Sequence, residues 1–317
     1  MNRFLQALSH QKPPLVIAHR GDCSHAPENT IEAAILGFEA GAEAWELDVQ
    51  LTRDGVPMAI HDESLTRTTD VSVRFKNDPR SRDGCRLSDF DFDEVRSLDA
   101  GSWFVSTLKG CRGSVDFETR EELGEKAFSL YNSGAVRIPS LRECLELTRR
   151  LDWLVNVELK TFPNTDSRLL PAVIEIILEL GVAERVLISS FDHADVAHSA
   201  ALELPIATGV LTMSPLFRPA DYIRGIVGAD CYHASSSSLG VDSDHYRTHP
   251  SPSRLRMDDL EALKAANVPV LVYTVNDARQ GGIADNLWRA GVCGLFTDRP
   301  GDMRRLVGSR DRNRVDS

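Results

Sequence analysis

His19-Arg20-Gly21 closes an apolar segment, and Pro27-Glu28-Asn29-Thr30 follows at the start of a helical stretch. An imidazole there can carry protons near neutral pH, and the adjacent guanidinium can fork two hydrogen bonds to a phosphate. Gly21 would let the backbone turn tightly. The plainer account is a surface turn with a helix capped by Asn29 or Thr30. Glu46 and Asp48 stand two apart on a strand pattern, so both carboxylates project to one side and repel unless something positive lies between them. A divalent cation with oxygen ligands, Mg²⁺ or Ca²⁺, is the simplest partner. A solvent-facing strand edge is the rival account, weakened by the apolar neighbours Trp45, Leu47 and Val49. His61-Asp62 ends a further apolar stretch, and Asn156, Glu158 and Lys160 share one side of another. Glu158 would complete a three-carboxylate shell and Lys160 would neutralise a phosphate oxygen; a cross-strand ion pair between them is the alternative. The four clusters thus supply two proton carriers, three oxygen ligands and two phosphate-binding cations.

Such residues work only if strands bring them together. Nine apolar segments qualify as strands: 15–19, 44–49, 56–61, 154–159, 185–190, 206–211, 229–232, 268–274 and 292–297. Helical patterns fall between many of them, at 30–40, 141–151, 167–180, 193–202, 257–266 and 278–290, and Gly41, Gly181 and Gly291 serve as stop signals. Repeated strand–helix units predict an α/β fold with a parallel sheet, closed as a barrel or open as a doubly wound layer. Nine is one strand too many for an eight-stranded barrel, and the link between the second and third is too short for a helix, so one strand there is expected to lie outside. The stretch 63–137 breaks the alternation and reads as an insertion over the barrel mouth, with helical pieces at 87–98 and 119–131. The polar tail 308–317 is expected to fray, and 235–238 reads as a loop.

The chain has 317 residues and a formal net charge of −11, which disfavours nucleic acid or an anionic membrane as partner and requires a local positive site for any anionic substrate. Its apolar runs fall short of the roughly 18 residues that span a bilayer, and residues 1–14 lack the apolar run of a secretory signal, so a cytoplasmic location is expected. Cys23, Cys85, Cys111, Cys144, Cys231 and Cys293 form no CxxC pair, and reduced thiols are the default. His10, His25, His193, His198, His233, His245 and His249 read as surface or capping residues, with His233, at a strand end, the one to check.

The motifs as a set resemble the glycerophosphodiester phosphodiesterase family. His19-Arg20-Gly21, Pro27-Glu28-Asn29-Thr30, Glu46-x-Asp48-Val49, Thr52-Arg53-Asp54-Gly55-Val56-Pro57 and His61-Asp62-x-x-Leu65-x-Arg67-Thr68-Thr69 occur in family order. Leu98-Asp99-Ala100-Gly101-Ser102-Trp103-Phe104, Ile138-Pro139-Ser140-Leu141, Glu158-Leu159-Lys160, Tyr273-Thr274-Val275-Asn276 and Thr297-Asp298-Arg299-Pro300 continue the match. The resemblance implies a single catalytic (β/α)₈ TIM barrel over 1–317, with the insertion over the C-terminal face of its strands. It implies Glu46, Asp48 and Glu158 as ligands of one divalent cation, His19 and His61 as the acid/base pair, Arg20 and Lys160 as phosphate-binding groups, and Tyr273, where many members carry Trp, as an aromatic substrate-lining wall. The implied reaction converts a small-molecule glycerophosphodiester to glycerol 3-phosphate and an alcohol, without nucleic acid or membrane insertion. A related barrel phospholipase acting on lysolipids or sphingolipids is the rival reading, and a non-catalytic barrel that binds phosphorylated ligands is a further one.

Overall fold

A computed structural model of the chain describes residues 2–8, 13–108, 123–161, 166–241 and 255–315. Strands β1 (Leu15–Ala18), β2 (Ala44–Leu51) and β3 (Pro57–Ala59) come first, followed by β4 (Leu154–Leu159), β5 (Val186–Ser190) and β6 (Ala207–Thr212), then β7 (Cys231–Ser235), β8 (Val270–Tyr273) and β9 (Gly294–Thr297). All but β3 are parallel, and the sheet closes because β1 pairs with β9 on one edge and with β2 on the other. Of the two parallel architectures that the alternation allowed, this is the eight-stranded barrel.

The ninth strand is the one expected outside. β3 runs antiparallel to β2, with Val49 opposite Ala59 and Leu51 opposite Pro57, and is shorter than the 56–61 predicted. The tight link places Gly55 at φ +87°, where a side chain is strained. This hairpin folds the chain back, so that the Ile60 N–H donates to the Asp48 carbonyl (2.9 Å) and His61 arrives beside the mouth of β2.

Helices pack outside the barrel because their stripes match its outward residues. In Leu141–Arg150 the buried Leu141, Cys144, Leu145 and Thr148 recur at helical spacing, and Ser140 with Glu143 forms a capping box at its start. Thr30, not Asn29, caps Ile31–Glu39, its Oγ1 accepting from the Ala33 N–H. The inward residues Leu15, Ile17, Ala44, Leu154, Leu187, Ala207 and Leu271 fill the lower interior. The helix Arg3–Ala7 closes that end with Phe4, which is fully buried and contributes about 1.5–3 kcal/mol of burial. Asn2 fixes this plug, donating through Nδ2 to the carbonyls of Ala183, Val186 and Pro205.

The inserted stretch departs from its expected form. In place of one helix at 87–98 there is a 3₁₀ turn, Leu87–Asp89, then a helix, Phe92–Arg96. The second piece is Glu125–Tyr131; the part of 119–131 before residue 123 lies outside the described residues. The segment's apolar residues share a core with the barrel: Leu65, Leu87, Phe90, Leu98, Phe104 and Tyr131 are buried together with Ala26, Ala33, Met58 and Ile60. A last helix, Pro300–Val315, absent from the sequence reading, runs through most of the tail expected to fray. The helix expected at 278–290 is shorter, Ile283–Arg289, because Asp277 first takes up the N–H groups of Arg279 and Ile283 in a turn.

Gly21 stands at φ +84°, and a Cβ there would lie 2.4 Å from the Ala33 carbonyl carbon. Gly21→Ala is therefore expected to cost at least about 2 kcal/mol from left-handed strain and overpacking, seen as a lower urea midpoint at unchanged m. An unshifted midpoint would mean that the turn is not held against the helix.

Candidate active site

The strand register delivers the candidate residues to one end of the barrel. Glu46 lies opposite Asn156 and Asp48 opposite Glu158 on adjacent strands, so two neighbouring strands supply all three carboxylates. Glu46, Asp48 and Glu158 are buried, and one oxygen from each lies within 4.8 Å of the others. Asn29 is locked to the middle member: its Nδ2 donates to Asp48 Oδ2 (2.8 Å), and its Oδ1 accepts from the Asp48 N–H (3.1 Å).

Two cations border this cluster. Lys160 Nζ pairs with Asp48 Oδ1 at 2.9 Å and also contacts Glu158, so the ion pair considered from sequence exists within the carboxylate cluster and extends to a second strand. Arg20, at φ 56°, brings Nε to 3.2 Å from Asp48 Oδ2 and Nη1 to 2.9 Å from Glu28 Oε1, while its backbone N–H donates to Glu46 Oε2 (2.9 Å). Burial opposes ionisation of Asp48, but Lys160, Arg20 and His61 outweigh it and hold this carboxyl far below the usual range. Glu46 goes the other way. Burial, then the charge of Asp48, pushes it up to about 8. Burial likewise raises Glu158, with Asp48 adding to the effect against Lys160. Two nearby cations therefore do not neutralise three acids, and Glu46 Oε1 is buried without a hydrogen-bond partner among the described residues. An oxygen-rich, under-compensated cluster of this kind fits a hard divalent ion.

Each histidine is anchored by a carboxylate. His19 Nδ1 lies 2.7 Å from Asp298 Oδ1, and His61 Nδ1 lies 2.7 Å from Asp62 Oδ1. Both aspartates titrate low, Asp62 at about 2 and Asp298 lower still, so each accepts a hydrogen bond from Nδ1–H. This leaves Nε2 of each ring for proton transfer. The rings differ in charge preference. Burial and Arg20 push His19 down, yet Asp298 outweighs them and raises it; burial, with Arg20 and Lys160, lowers His61 against the pull of Asp48. Gln50 fixes the His61 segment, its Nε2 donating to the carbonyls of Ile60, His61 and Asp62 at 3.1, 3.0 and 2.8 Å.

Tyr273 ends β8 with its hydroxyl donating to the Thr212 carbonyl (2.8 Å) and its ring edge-on to Phe191 at 6.1 Å. Burial raises its phenol, and the charge of Glu158 adds to the effect. All eight residues singled out from sequence thus stand at or next to the C-terminal mouth.

Sequence reasoning missed the supporting residues. Asp298, Asp62 and Glu28 enter the sequence reading only as parts of motifs, and Asn29 as a possible helix cap. Glu28 instead bridges Arg20 and Arg67, the latter through both Nη atoms at 2.7 Å, and Arg67 reaches on to Asp62. The available signal was position: each aspartate follows directly on a strand segment, where barrel loops carry their chemistry. His233, marked for checking, is fully buried inside the barrel, neutral because burial drops it to about 3, and packed on Phe296. It fills space that Gly209 leaves, since a Cβ at Gly209 would lie 2.6 Å from its Nε2. Residues 235–238 hold the end of β7 and part of a 3₁₀ turn. His10, His245, His249 and Cys111 lie outside the described residues.

Comparison with known proteins gives the family and the fold. The chain is 31% identical over 297 residues to a glycerophosphodiester phosphodiesterase of Caldanaerobacter subterraneus, covering 92% of this chain and 97% of that one. It is also 31% identical over 290 residues to a glycerophosphodiester phosphodiesterase of Bacillus altitudinis, covering 90% and 94%. The fold is shared with a phosphodiesterase of Oleispira antarctica solved in complex with the product sn-glycerol-3-phosphate, at a TM-score of 0.71 and 24% identity over 93% of this chain and 97% of that one. The pattern of the glycerophosphoryl diester phosphodiesterase family matches residues 19–302. With the family pattern spanning most of the sequence and these relatives beside it, the chain belongs to the glycerophosphoryl diester phosphodiesterase family.

Proposed function

We propose that this chain, acting as a single catalytic unit, hydrolyses glycerophosphodiesters to glycerol 3-phosphate and an alcohol. His19 and His61 carry the protons, and Glu46, Asp48 and Glu158 hold one divalent cation, Mg²⁺ or Ca²⁺. The observation that carries this reading is the pairing of two aspartate-anchored imidazoles with a buried carboxylate trio that its neighbours leave under-neutralised. The names of the relatives supply the substrate class.

A bound cation would offset the charge on the phosphodiester oxygens and acidify a water or hydroxyl. The chain's own groups do the rest. Arg20 and Lys160, positioned by Asp48, would stabilise the charge that grows on the phosphoryl oxygens. One imidazole takes a proton from the attacking hydroxyl at Nε2, and the other gives one to the departing alkoxide. Asp298 and Asp62 hold the tautomers that allow both, and Tyr273 with Phe191 walls the site. The nucleophile is water, or the glycerol hydroxyl of the substrate acting through a cyclic phosphate; accumulation of the cyclic species in rapid-quench samples identifies the second route.

No helix among the described residues is long and apolar enough to cross a membrane. The proposal keeps the enzyme in the cytoplasm, where reduced thiols such as those of Cys23, Cys85, Cys144 and Cys231 are stable. One observation favours a second substrate class. Phe191, Met213 and Phe217, on the loops after β5 and β6 at the mouth, are 40%, 72% and 88% exposed. Apolar side chains held out at this end suit a lysolipid presented in a micelle.

His19→Ala and His61→Ala are each expected to lower kcat by about 10²–10⁴-fold while leaving the melting temperature near that of the wild type; full turnover in either removes that residue from the mechanism. Chelation should abolish glycerol 3-phosphate release and lower the melting temperature, and Mg²⁺ or Ca²⁺ should restore both. In Glu46→Gln and Asp48→Asn that ion-dependent thermal shift should disappear; its persistence would place the ion elsewhere. If lysolipids are substrates, turnover will rise steeply above their critical micelle concentration and Phe217→Ser will blunt the rise. Equal rates for soluble glycerophosphodiesters and no response to micelles would leave only the first class.

A further inference from the structure

A second convergence of metal-binding atom types surrounds His19. Its Nδ1, the Cys23 Sγ and an Asp298 carboxylate oxygen lie within 4.8 Å of one another. Asp298 Oδ1 is the shared point, 2.7 Å from the imidazole nitrogen and accepting from the thiol at 3.1 Å. Asn276 fixes the same carboxylate, its Nδ2 donating to Oδ2 (2.7 Å) and its Oδ1 accepting from the Asp298 N–H (2.9 Å). The proposed reaction uses Asp298 to hold His19 but gives Cys23 no task. The two clusters also differ in donor chemistry. Three carboxylates suit a hard ion such as Mg²⁺ or Ca²⁺, whereas nitrogen, sulfur and oxygen together suit a borderline-soft one.

We propose that His19, Cys23 and Asp298 form an inhibitory site for a thiophilic divalent cation of the zinc type, separate from the carboxylate trio. Three protein donors and one water would complete a tetrahedron. Donors at about 2.0–2.3 Å from such an ion stand roughly 3.3–3.8 Å apart, so His19 and Asp298 need to separate by about 1 Å from their hydrogen-bonded positions. The side chains of His19 and Asp298 keep 16% and 18% exposure, and Cys23 is half-buried, so an ion can enter from the mouth. Burial and the charge of Asp298 keep the Cys23 thiol protonated in the absence of an ion; the incoming dication releases that proton to solvent and binds the thiolate.

Occupancy disarms the histidine by an exchange of protons within the ring. The ion takes the Nδ1 position whose hydrogen Asp298 otherwise accepts, so the neutral imidazole must carry its hydrogen on Nε2. Nε2 then has no lone pair with which to act as a base, and the metal-bound ring is a weaker acid than an imidazolium. This effect on turnover rests on the role given to His19 under the proposed function; binding of the ion does not.

The test separates the two. Cobalt(II) chloride is titrated into the full chain in excess Mg²⁺, and a thiolate-to-cobalt charge-transfer band in the near ultraviolet is expected. Cys23→Ser and Cys23→Ala should lose it and Cys111→Ser should keep it. In the same buffer, zinc chloride should lower kcat. Its half-inhibiting concentration should rise in Cys23→Ser by more than the roughly 10–100-fold that follows loss of a mere supporting partner of a metal ligand. A cobalt complex without a sulfur band, or a band that survives both Cys23 variants, overturns the site. A Cys23-dependent band with zinc-insensitive turnover overturns the inhibitory site; turnover of His19→Ala, measured beside it, decides separately whether His19 belongs to the mechanism.

Discussion

Three carboxylates crowded into the mouth of a closed barrel set the terms for everything around them. Burial penalises each charge, and each charge penalises the others. The chain resolves this unequally. Asp48, in contact with Lys160 and Arg20 and locked by Asn29, stays ionised, whereas Glu46 is pushed toward its protonated form. The arrangement is not the one that would maximise stability, since apolar residues would fill the same volume without an electrostatic penalty. Its cost is what makes the site receptive to a cation.

Around that centre the chain builds the same device twice by different routes. His19 meets Asp298 because β1 and β9 are neighbours, so barrel closure itself forms the pair. His61 and Asp62 are adjacent in sequence, and a hairpin outside the barrel carries them to the mouth. One pair depends on contact between the two ends of the chain, the other on a few local residues. Both present an imidazole whose Nδ1 is already committed, so orientation is fixed before any substrate arrives.

Much of this was legible in the sequence because it depends on period and spacing. Glu46 and Asp48 had to share a side of one strand, and the short link after Val49 foretold a strand outside the barrel. Thr30 and Asn29 were both plausible caps; the choice between them turned on Asp48, a partner 19 positions away, which local pattern cannot supply. Asp298 could not be assigned to His19 for the same reason, since 279 positions separate them and only barrel closure brings them together. Helix lengths in the insertion were misjudged because polar, glycine-rich sequence carries little periodic signal. The helix Pro300–Val315 was missed because its polar composition carries little periodic signal, and its first turns are held by docking Met303, Leu306 and Val307.

The stretch 63–137 packs its apolar residues against Ala26, Ala33, Met58 and Ile60, and among its described side chains Arg67 is the one that ion-pairs with both Glu28 and Asp62 at the site. A change in this stretch can therefore reach the mouth by two routes, the shared apolar packing and that one guanidinium.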